Sequence, residues 1–586
     1  MSNCCSKIKM DVFEIDYFKN KSPDLVVSTS TIKEETSVYC PYQIENIQNY
    51  HPLYSEFFEL NPANSKTICL NHLYHIVDLE TVKNRISGHL SKVPIFIKFS
   101  PLLDPIHYMI GKYSEYGEKT TMLPKYSEHC KNNEVIPKMA SIYNASYIDN
   151  FFYYLTSQML HTHNFIHGLD YYGSFLGIQE KYRIDVIDDI DYLNDSSYFK
   201  KNRGSLFDIE NHMDPFSNFG SRGNKNKLEI GVDDCILELD SFDEEKEVSD
   251  NIEDTIEGTI EEIYEKKSNS SISSSSLHST SSSNSSFNDS SEEEDNNTEH
   301  DDNIIDNNDS ESDKDCEDDF TKSEESEEHV VYAYINNFPI QMICLEKCEN
   351  TFDSLLIKGE LGKKEYASIL LQVIMILITY QKCFRFTHND LHTNNIMYSN
   401  TDKKFIEYIY DGKSYRVPTY GRIFKIIDFG RAIYTFRGKV LSSDSFLKGG
   451  DAHTQYNCDP FLDENKKRIE PNPSFDLCRL GCSIYDFILD EDTDLSDIDE
   501  FQHTILRWCT DDRGKNILYK KNGEDRYPDF KLYKMIARTV HAHTPEAQLT
   551  YPFFSQFQLK GKKEKEKEKE KNQIISINID EIPIYV

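Results

Sequence analysis

The sequence predicts an α+β fold that is interrupted by a long acidic insertion, and three observations indicate it. Short apolar runs typical of strands occur at 93–99 and 329–347. Apolar residues recur at helical spacing over 144–160, residues 363–384 are apolar nearly all round as in a buried helix, and 474–488 is predicted as another helix. A stretch dominated by Ser, Asp and Glu separates the elements before residue 180 from those after residue 328. We therefore expect one domain whose strands and helices lie on both sides of this stretch.

The acidic stretch accounts for most of the net charge of −36 in this chain of 586 residues. Residues 241–328 hold 31 acidic and 5 basic side chains, and 268–286 are mostly Ser. Such a composition cannot bury enough apolar area to offset chain entropy, so we predict a disordered acidic insertion over 180–328. The insertion is a candidate to recruit other proteins or to be phosphorylated, and a solvated tether is the alternative. Its charge argues against nucleic acid as a partner.

Other features indicate an intracellular, cytoplasmic protein. The first residues, MSNCCSKIKM, are too polar for a secretory signal peptide. The 14 Cys form no CxxC pair and no zinc-finger spacing, which favours free thiols in a reducing compartment. The longest apolar run, 366–380, contains Gln372 and is shorter than the roughly 20 residues of a membrane span. It predicts a buried helix, and we expect no membrane span.

The other elements follow from local patterns. Residues 164–178 have the pattern of a strand, a turn and a second strand. Alternating residues over 404–418 are centred on Asp411–Gly412, which predicts a hairpin. Asn144 or Ser146 is placed to cap the helix over 144–160.

A polar loop, HNDLHTNNI at 388–396, follows the buried helix and carries the candidate chemistry. Asp390 and Asn395 stand five apart, so a carboxylate and an amide oxygen can face one site. An apolar strand then ends in Asp428, and Gly430 permits a sharp turn there. Transfer of a phosphoryl group from ATP requires such groups: a carboxylate to accept a proton, oxygen ligands for Mg²⁺, and a Lys for the phosphates.

The two motifs resemble those of the protein kinase superfamily. The pattern H-x-D-L-x-x-x-N-I at 388–396 is similar to its catalytic loop, and Asp428-Phe429-Gly430 is similar to its metal-binding triplet. Carried over by position, the resemblance makes Asp390 the catalytic base and makes Asn395 and Asp428 the Mg²⁺ ligands. Lys98 in the strand VPIFIKF resembles the Lys that holds the ATP phosphates. A Lys that reaches solvent from a strand edge is the alternative.

The resemblance extends to supporting residues. Glu346 and Cys348 would lie at the adenine edge of the ATP site, on the passage from the last strand to the hinge. Asp149 on the helix over 144–160 either pairs with Lys98 at the ATP site or closes a capping box with Ser146. Structural support would come from four residues: His388, Phe429, Gly430 and Asp476, the last bracing the backbone of the catalytic loop.

The resemblance also implies a two-lobed fold with a small sheet-rich N-lobe and a mainly helical C-lobe. The implied divisions are an N-terminal extension of unknown role at 1–60, the first part of the N-lobe at 61–179, the insertion at 180–328, the last N-lobe strand and hinge at 329–347, the C-lobe at 348–559 and a charged low-complexity tail at 560–586.

The sequence departs from the kinase pattern in several places. Gly88 is the only Gly in the fifty residues before Lys98, so no glycine-rich loop precedes it. Asn389 stands where many kinases have an Arg that meets a phosphate on the activation segment, which makes activation by that route doubtful. His392 replaces the usual loop Lys, as in small-molecule phosphotransferases and haspin-like protein kinases. The hairpin over 404–418 looks like that of haspin.

The whole combination resembles the serine/threonine kinases of giant DNA viruses of the mimivirus type. It implies an enzyme that transfers the γ-phosphate of ATP, with Mg²⁺, to Ser or Thr of a protein substrate, in the host cytoplasm or the virion. Two alternatives stay open. The missing glycine-rich loop favours a pseudokinase that binds or scaffolds, and His392 favours a small-molecule phosphotransferase.

Overall fold

The computed structural model describes residues 12–20, 22–23, 39–126, 135–210, 330–489, 496–559 and 573–586. It contains several small sheets and a set of helices, so the predicted α+β class is confirmed. The strands are β1 (Tyr17–Lys19), β2 (Ile44–Gln48), β3 (Ile68–Leu70), β4 (Tyr74–Asp78), β5 (Thr81–Asn84), β6 (Leu90–Lys92), β7 (Ile95–Pro101), β8 (Tyr171–Asp185), β9 (Phe207–Ile209), β10 (Tyr332–Glu346), β11 (Asn350–Thr351), β12 (Ile396–Asn400), β13 (Phe405–Tyr410), β14 (Lys413–Pro418), β15 (Arg422–Ile426), β16 (Ile433–Phe436), β17 (Lys439–Ser442) and β18 (Ile574–Asn578).

The helices include three that the sequence pattern predicts, at 145–163, 363–384 and 475–488. In chain order they are α1 (Pro105–Met109), α2 (Pro137–Ala140), α3 (Ala145–His163), α4 (Ile190–Asp195), α5 (Ser197–Asn202), α6 (Phe352–Ile357), α7 (Lys363–Phe384), α8 (Phe475–Ile488), α9 (Glu500–Trp508), α10 (Phe530–Thr539), α11 (Pro545–Gln548) and α12 (Pro552–Ser555).

The largest sheet has the strand order β2-β8-β10-β7, with β9 also paired to β10. Its central strand β10 is buried from Phe338 to Leu345, which explains the nearly continuous apolar run in that part of the sequence. The pairing of β7 with β10 is antiparallel and places Lys98 opposite Ile343. Within the described ranges, no strand pairs with the outer edge of β7.

Helix α3 packs on this sheet, and its ends follow from local residues. Asn144 is the N-cap, and its side chain accepts a hydrogen bond from the Ser146 amide. The helix ends at Asn164, which has a φ of 53° and closes the last turn in the left-handed conformation. Between these ends nearly every residue of α3 is buried, including the aromatic residues Phe151 and Phe152. Contacts therefore surround α3, and its side chains are held in place.

Helix α7 lies in the core, where it contacts strands β14, β15 and β16. It is the one helix in the described part of the chain that is long and apolar enough to cross a membrane, and 89% of its apolar window is buried inside the protein. The observation agrees with a buried helix over 366–380. Next to α7, strands β13 and β14 form the predicted hairpin, with positive φ at both Asp411 and Gly412, as a tight two-residue turn requires.

Two predictions for residues 164–210 are wrong because tertiary pairing overrides local pattern and composition. Residues 164–178 do not form two strands: a turn leads into β8, which runs unbroken to Asp185. Residues 180–210 belong to the fold, because β8 continues, α4 and α5 follow, and β9 pairs with β10. The remainder of the predicted insertion, 211–328, lies outside the described residues.

Both chain ends also contribute to the core. In the predicted extension at 1–60, strand β2 joins the main sheet beside β8. In the predicted tail at 560–586, strand β18 pairs in parallel with β13, and Tyr585 is only 4% exposed. The ring of Tyr585 lies 4.3 Å from that of Phe13, so the two ends meet in one aromatic cluster. Residues 560–572 lie outside the described residues.

Candidate active site

Lys98 is the centre of the candidate site. Its ammonium donates to Asp149 Oδ2 at 2.7 Å and to Asp428 Oδ1 at 2.9 Å. These two carboxylates come from α3 and from the turn after β15, which lie 51 and 330 positions from Lys98. The Lys98 side chain is 20% exposed and that of Asp428 is 21% exposed, whereas Asp149 is almost fully buried. The pair Lys98–Asp428 therefore faces an open site, and Asp149 fixes it from behind.

The structure decides between the two hypotheses for Asp149. Its second oxygen, Oδ1, accepts a hydrogen bond from the Phe429 amide at 2.7 Å, so both oxygens point toward the site. The Ser146 amide donates instead to Asn144, and the capping box is therefore absent. Asp149 thus joins α3 to the strand that carries Lys98 and to the turn that carries Asp428.

Burial and neighbouring charge act on these groups in opposite directions. Burial, together with the nearby Asp428, raises the pKa of Asp149 to about 6, although Lys98 lowers it. For Lys98, burial favours the neutral amine, but the two carboxylates outweigh it and raise the pKa of the ammonium. Lys98 is therefore a cation at neutral pH, as a group that binds phosphate must be.

The titration of Asp149 makes stability depend on pH. Because its pKa is about 6 in the folded protein and 3.8 in the free residue, its contribution is greatest below pH 4 and is lost as the pH rises through 6. We expect the free energy of unfolding of the wild type, relative to Asp149→Asn, to fall by up to about 3 kcal/mol between pH 4 and 6. Urea unfolding at several pH values measures this. A difference that rises with pH would contradict it, because Lys98 would then outweigh burial.

The sequence predicts the sharp turn after β15 at Gly430, but the left-handed residue of this turn is Asp428. Asp428 itself has a φ of 65°, whereas Gly430 has no positive φ. A left-handed Asp is held there by its neighbours: the Asp428 amide donates to the Tyr153 hydroxyl at 2.8 Å. Phe429 is fully buried, 4.6 Å from the Phe152 ring and 4.9 Å from the Tyr153 ring. The turn is therefore fixed by packing against α3.

The backbone of the loop over 388–396 is hydrogen-bonded to α8. Asp476 accepts hydrogen bonds from the backbone amides of His388 and Asn389, both at 2.9 Å, and is itself completely buried. His388 contacts the Ile427 carbonyl through Nε2 at 2.9 Å. Hydrogen bonds thus tie the loop both to α8 and to the residue between β15 and Asp428. This is the contact of Asp476 that the kinase resemblance implies.

Asn395 is oriented by its own loop. Its Nδ2 group donates to the Asp390 carbonyl at 3.0 Å and contacts His392 Nε2 at 3.1 Å. Burial lowers the pKa of His392 to about 4, so at neutral pH its ring is uncharged and can accept that bond. With both amide hydrogens engaged, the Asn395 carbonyl oxygen is the atom left to bind a ligand. The Ile427 amide donates to the Asn395 backbone at 3.0 Å, which brings Asn395 beside Asp428.

This donor set fits Mg²⁺. The ion binds through one or two protein oxygens and completes its shell with water and phosphate, so a carboxylate and an amide oxygen suffice. Among the described residues, no group of three or more His, Cys, Asp or Glu could hold a metal without a ligand's help. Asn395 and Asp428 therefore offer one amide oxygen and one carboxylate, which is as many protein oxygens as Mg²⁺ usually takes when phosphate and water complete its shell.

Asp390 lies among cationic and phenolic groups. Its Oδ1 accepts a hydrogen bond from the Tyr533 hydroxyl at 2.8 Å, and its Oδ2 lies 3.9 Å from an Arg431 nitrogen. Burial by itself would raise the pKa of Asp390, but Arg431 and other neighbours outweigh it and hold the pKa well below its usual range. The group is therefore a carboxylate that can accept a hydrogen bond at any physiological pH.

The residues predicted for the adenine edge lie at the end of β10. The Glu346 side chain pairs with buried Lys425, and it lines a cavity of about 330 Å³ that Lys98 and Asp428 do not line. The Cys348 thiol is buried, and burial raises its pKa to about 11. Neither the Glu346 side chain nor the Cys348 side chain contacts Lys98. Glu346 pairs with Ile95 of β7, three residues before Lys98.

The segment after Asp428 is held without a phosphate. The Tyr456 hydroxyl donates to Asn389 Oδ1 at 2.8 Å, and Asn389 stands at the position where many kinases have an Arg that contacts a phosphate. Asp444 accepts from Lys138 at 2.7 Å and from the Ala145 amide at the start of α3 at 3.2 Å. Hydrogen bonds thus join this segment to the loop over 388–396 and to the start of α3, and an ion pair joins it to α2.

Three residues around Asp390 were not predicted from the sequence: Arg431, Arg479 and Tyr533. Arg431 directly follows Gly430, and this position offers a local signal. Arg479 lies one helical turn after Asp476 on α8, and this position is a weaker signal in the sequence. Tyr533 lies 143 positions from Asp390 on an amphipathic helix with no motif, so the sequence contains no signal for its contact.

Comparison with known proteins adds little to this geometry. No family model matches the chain. An uncharacterized protein of Caenorhabditis elegans, ZK177.2, is 32% identical over 65 residues, which are 11% of this chain and 22% of that protein. The chain thus spans about a fifth of the length of the curated relative that it matches.

Proposed function

We propose that this protein is a two-lobed protein kinase that transfers the γ-phosphate of ATP to Ser or Thr of a protein substrate. One observation carries the proposal: Lys98 bridges Asp149 and Asp428, at 2.7 and 2.9 Å, across three distant parts of the chain. Phosphoryl transfer needs a cation held by carboxylates next to a loop that carries a further carboxylate and an amide. Here Lys98 lies between buried Asp149 and partly exposed Asp428, near the loop of Asp390 and Asn395.

Each residue then has a role. Lys98 binds the ATP phosphates, and Asp149 keeps its ammonium in place. Asp390 accepts the hydrogen bond of the attacking hydroxyl, orients it and takes its proton as the new bond forms. Asn395 and Asp428 would hold Mg²⁺, which neutralises charge on the phosphates. A carboxylate with a low pKa suffices, because positioning and charge stabilisation supply most of the rate in this reaction.

Activity would not require phosphorylation of the segment that follows Asp428. The Tyr456 hydroxyl already donates a hydrogen bond to Asn389. Asp444 already accepts hydrogen bonds from Lys138 and from the amide at the start of α3. The partners that we propose are accordingly ATP and a protein substrate.

Transfer of labelled γ-phosphate from Mg·ATP tests the proposal. The full chain is incubated alone and with a panel of acidic and basic proteins, and labelled residues are identified. We expect label on Ser or Thr of proteins in the panel, and a loss of about 100-fold or more in Asp390→Asn. Asp486→Asn is the matched control, because exposed Asp486 also accepts a hydrogen bond from a Tyr hydroxyl, that of Tyr519, at 2.7 Å. It should transfer at the wild-type rate.

A protein that binds Mg·ATP without transferring phosphate is the second candidate. The observation that favours it is the outer edge of β7, which no strand in the described ranges covers. Thermal stabilisation by Mg·ATP, without label on the chain or on any protein of the panel, would select this candidate and reject the kinase.

A further inference from the structure

Tyr533 of α10 contacts the proposed catalytic base, Asp390. Its hydroxyl donates to Asp390 Oδ1 at 2.8 Å and accepts from Arg479 Nε at 3.0 Å. Its ring lies 5.5 Å from the Phe530 ring and 6.1 Å from the Phe475 ring. The side chain is thus held by packing as well as by hydrogen bonds.

This hydroxyl makes the contact that an acceptor hydroxyl has to make. In phosphoryl transfer the attacking hydroxyl donates its hydrogen to the base, within about 2.6–3.2 Å. Burial raises the pKa of Tyr533, so the phenol retains the proton that it donates to Asp390. One carboxylate oxygen of Asp390, Oδ1, therefore already accepts a hydrogen bond from a hydroxyl of the same chain.

We propose that Tyr533 is a site of phosphorylation in cis, modified by the active site of its own chain. The co-substrate is Mg·ATP. The Tyr533 oxygen forms a bond to the γ-phosphorus while the bond from that phosphorus to the β,γ-bridging oxygen breaks. The phenolic proton passes to Asp390, and ADP leaves with the electron pair of the broken bond. The proposal rests on the proposed kinase function.

The surroundings of Tyr533 suit both the reaction and its product. A side chain already oriented on the base reacts without a second binding step, which is the advantage of an intramolecular reaction. Two cations flank the ring, with Arg479 at 5.2 Å and Arg431 at 5.7 Å from its centre. A phosphate on this oxygen would lie beside Arg479, which already donates to it.

The test is a time course with the full chain, Mg²⁺ and γ-labelled ATP, followed by mass spectrometry of the peptide that contains Tyr533. Reaction in cis requires a first-order rate that does not change with protein concentration. In a second arm, the wild type is mixed with a ¹⁵N-labelled Asp390→Asn chain. We expect phosphate on Tyr533 of the wild type and not on the heavy chain.

Two substitutions provide the controls. Tyr533→Phe should lower the phosphotyrosine of the chain by about ten-fold or more, because the oriented acceptor is removed. Tyr519→Phe removes a phenol that donates to the exposed carboxylate of Asp486 at 2.7 Å, and it should leave the label on Tyr533 unchanged.

The outcomes separate this inference from the proposed function. Label on the protein panel with none on Tyr533 would overturn the inference and leave the kinase function standing. Label on the heavy Asp390→Asn chain would show reaction between chains and would overturn the cis mechanism. Absence of label on both the panel and Tyr533, with folded protein, would reject the kinase function and the inference together.

Discussion

Asp428→Ala is expected to abolish phosphoryl transfer more completely than Asp390→Ala. Loss of a base costs roughly 10²–10⁴-fold, since the substrate and the phosphates stay in position. Asp428 acts twice: its Oδ1 contacts Lys98 at 2.9 Å, and its carboxylate is the principal proposed ligand for Mg²⁺. Its removal therefore affects the cation and the metal together. Single-turnover transfer at saturating Mg·ATP measures both variants.

Thermal denaturation with and without Mg·ATP provides the control for this prediction. Asp390→Ala should still be stabilised by Mg·ATP, whereas Asp428→Ala should lose most of that stabilisation. Asp428→Asn keeps the shape of the side chain and separates charge from packing. Equal residual activity in Asp390→Ala and Asp428→Ala would contradict the assignment of Asp428 to the metal.

Tyr585→Ala is expected to lower the free energy of unfolding by about 3–5 kcal/mol, the usual cost of removing a large buried side chain. Tyr585 is 4% exposed, and its ring lies 4.3 Å from that of Phe13 and 5.4 Å from that of Phe384. Its hydroxyl contacts His163 Nε2 at 2.5 Å, at the end of the helix that carries Asp149. Urea unfolding of the full chain measures the effect.

Tyr585→Phe is the matched control, because it keeps the ring and removes only the hydroxyl. We expect it to cost about 1 kcal/mol, the net value of one hydrogen bond. A cost for Tyr585→Ala that is no larger than that for Tyr585→Phe would mean that the aromatic cluster does not support the fold.

Local patterns in the sequence predict much of the fold because they depend on short distances along the chain. The long apolar run predicts a helix over 363–384, the bounds that α7 has in the structure, and Asp411–Gly412 identifies the hairpin turn. The predicted start of the insertion at residue 180 is wrong because composition changes gradually there, whereas β8, α4, α5 and β9 are stabilised by pairing and packing with distant residues.

The sequence by itself determined which residues carry the candidate chemistry: Lys98, Asp390, Asn395 and Asp428 stand in motifs whose order and spacing are visible along the chain. Only the tertiary structure decided how they are used. It assigned Asp149 to Lys98 and not to Ser146, put the positive φ on Asp428, and brought Tyr533 to Asp390 and Tyr585 to His163. The physical reason is distance along the chain. The last two contacts join residues 143 and 422 positions apart, and such pairs are selected by the packing of whole helices and sheets, which no local pattern encodes.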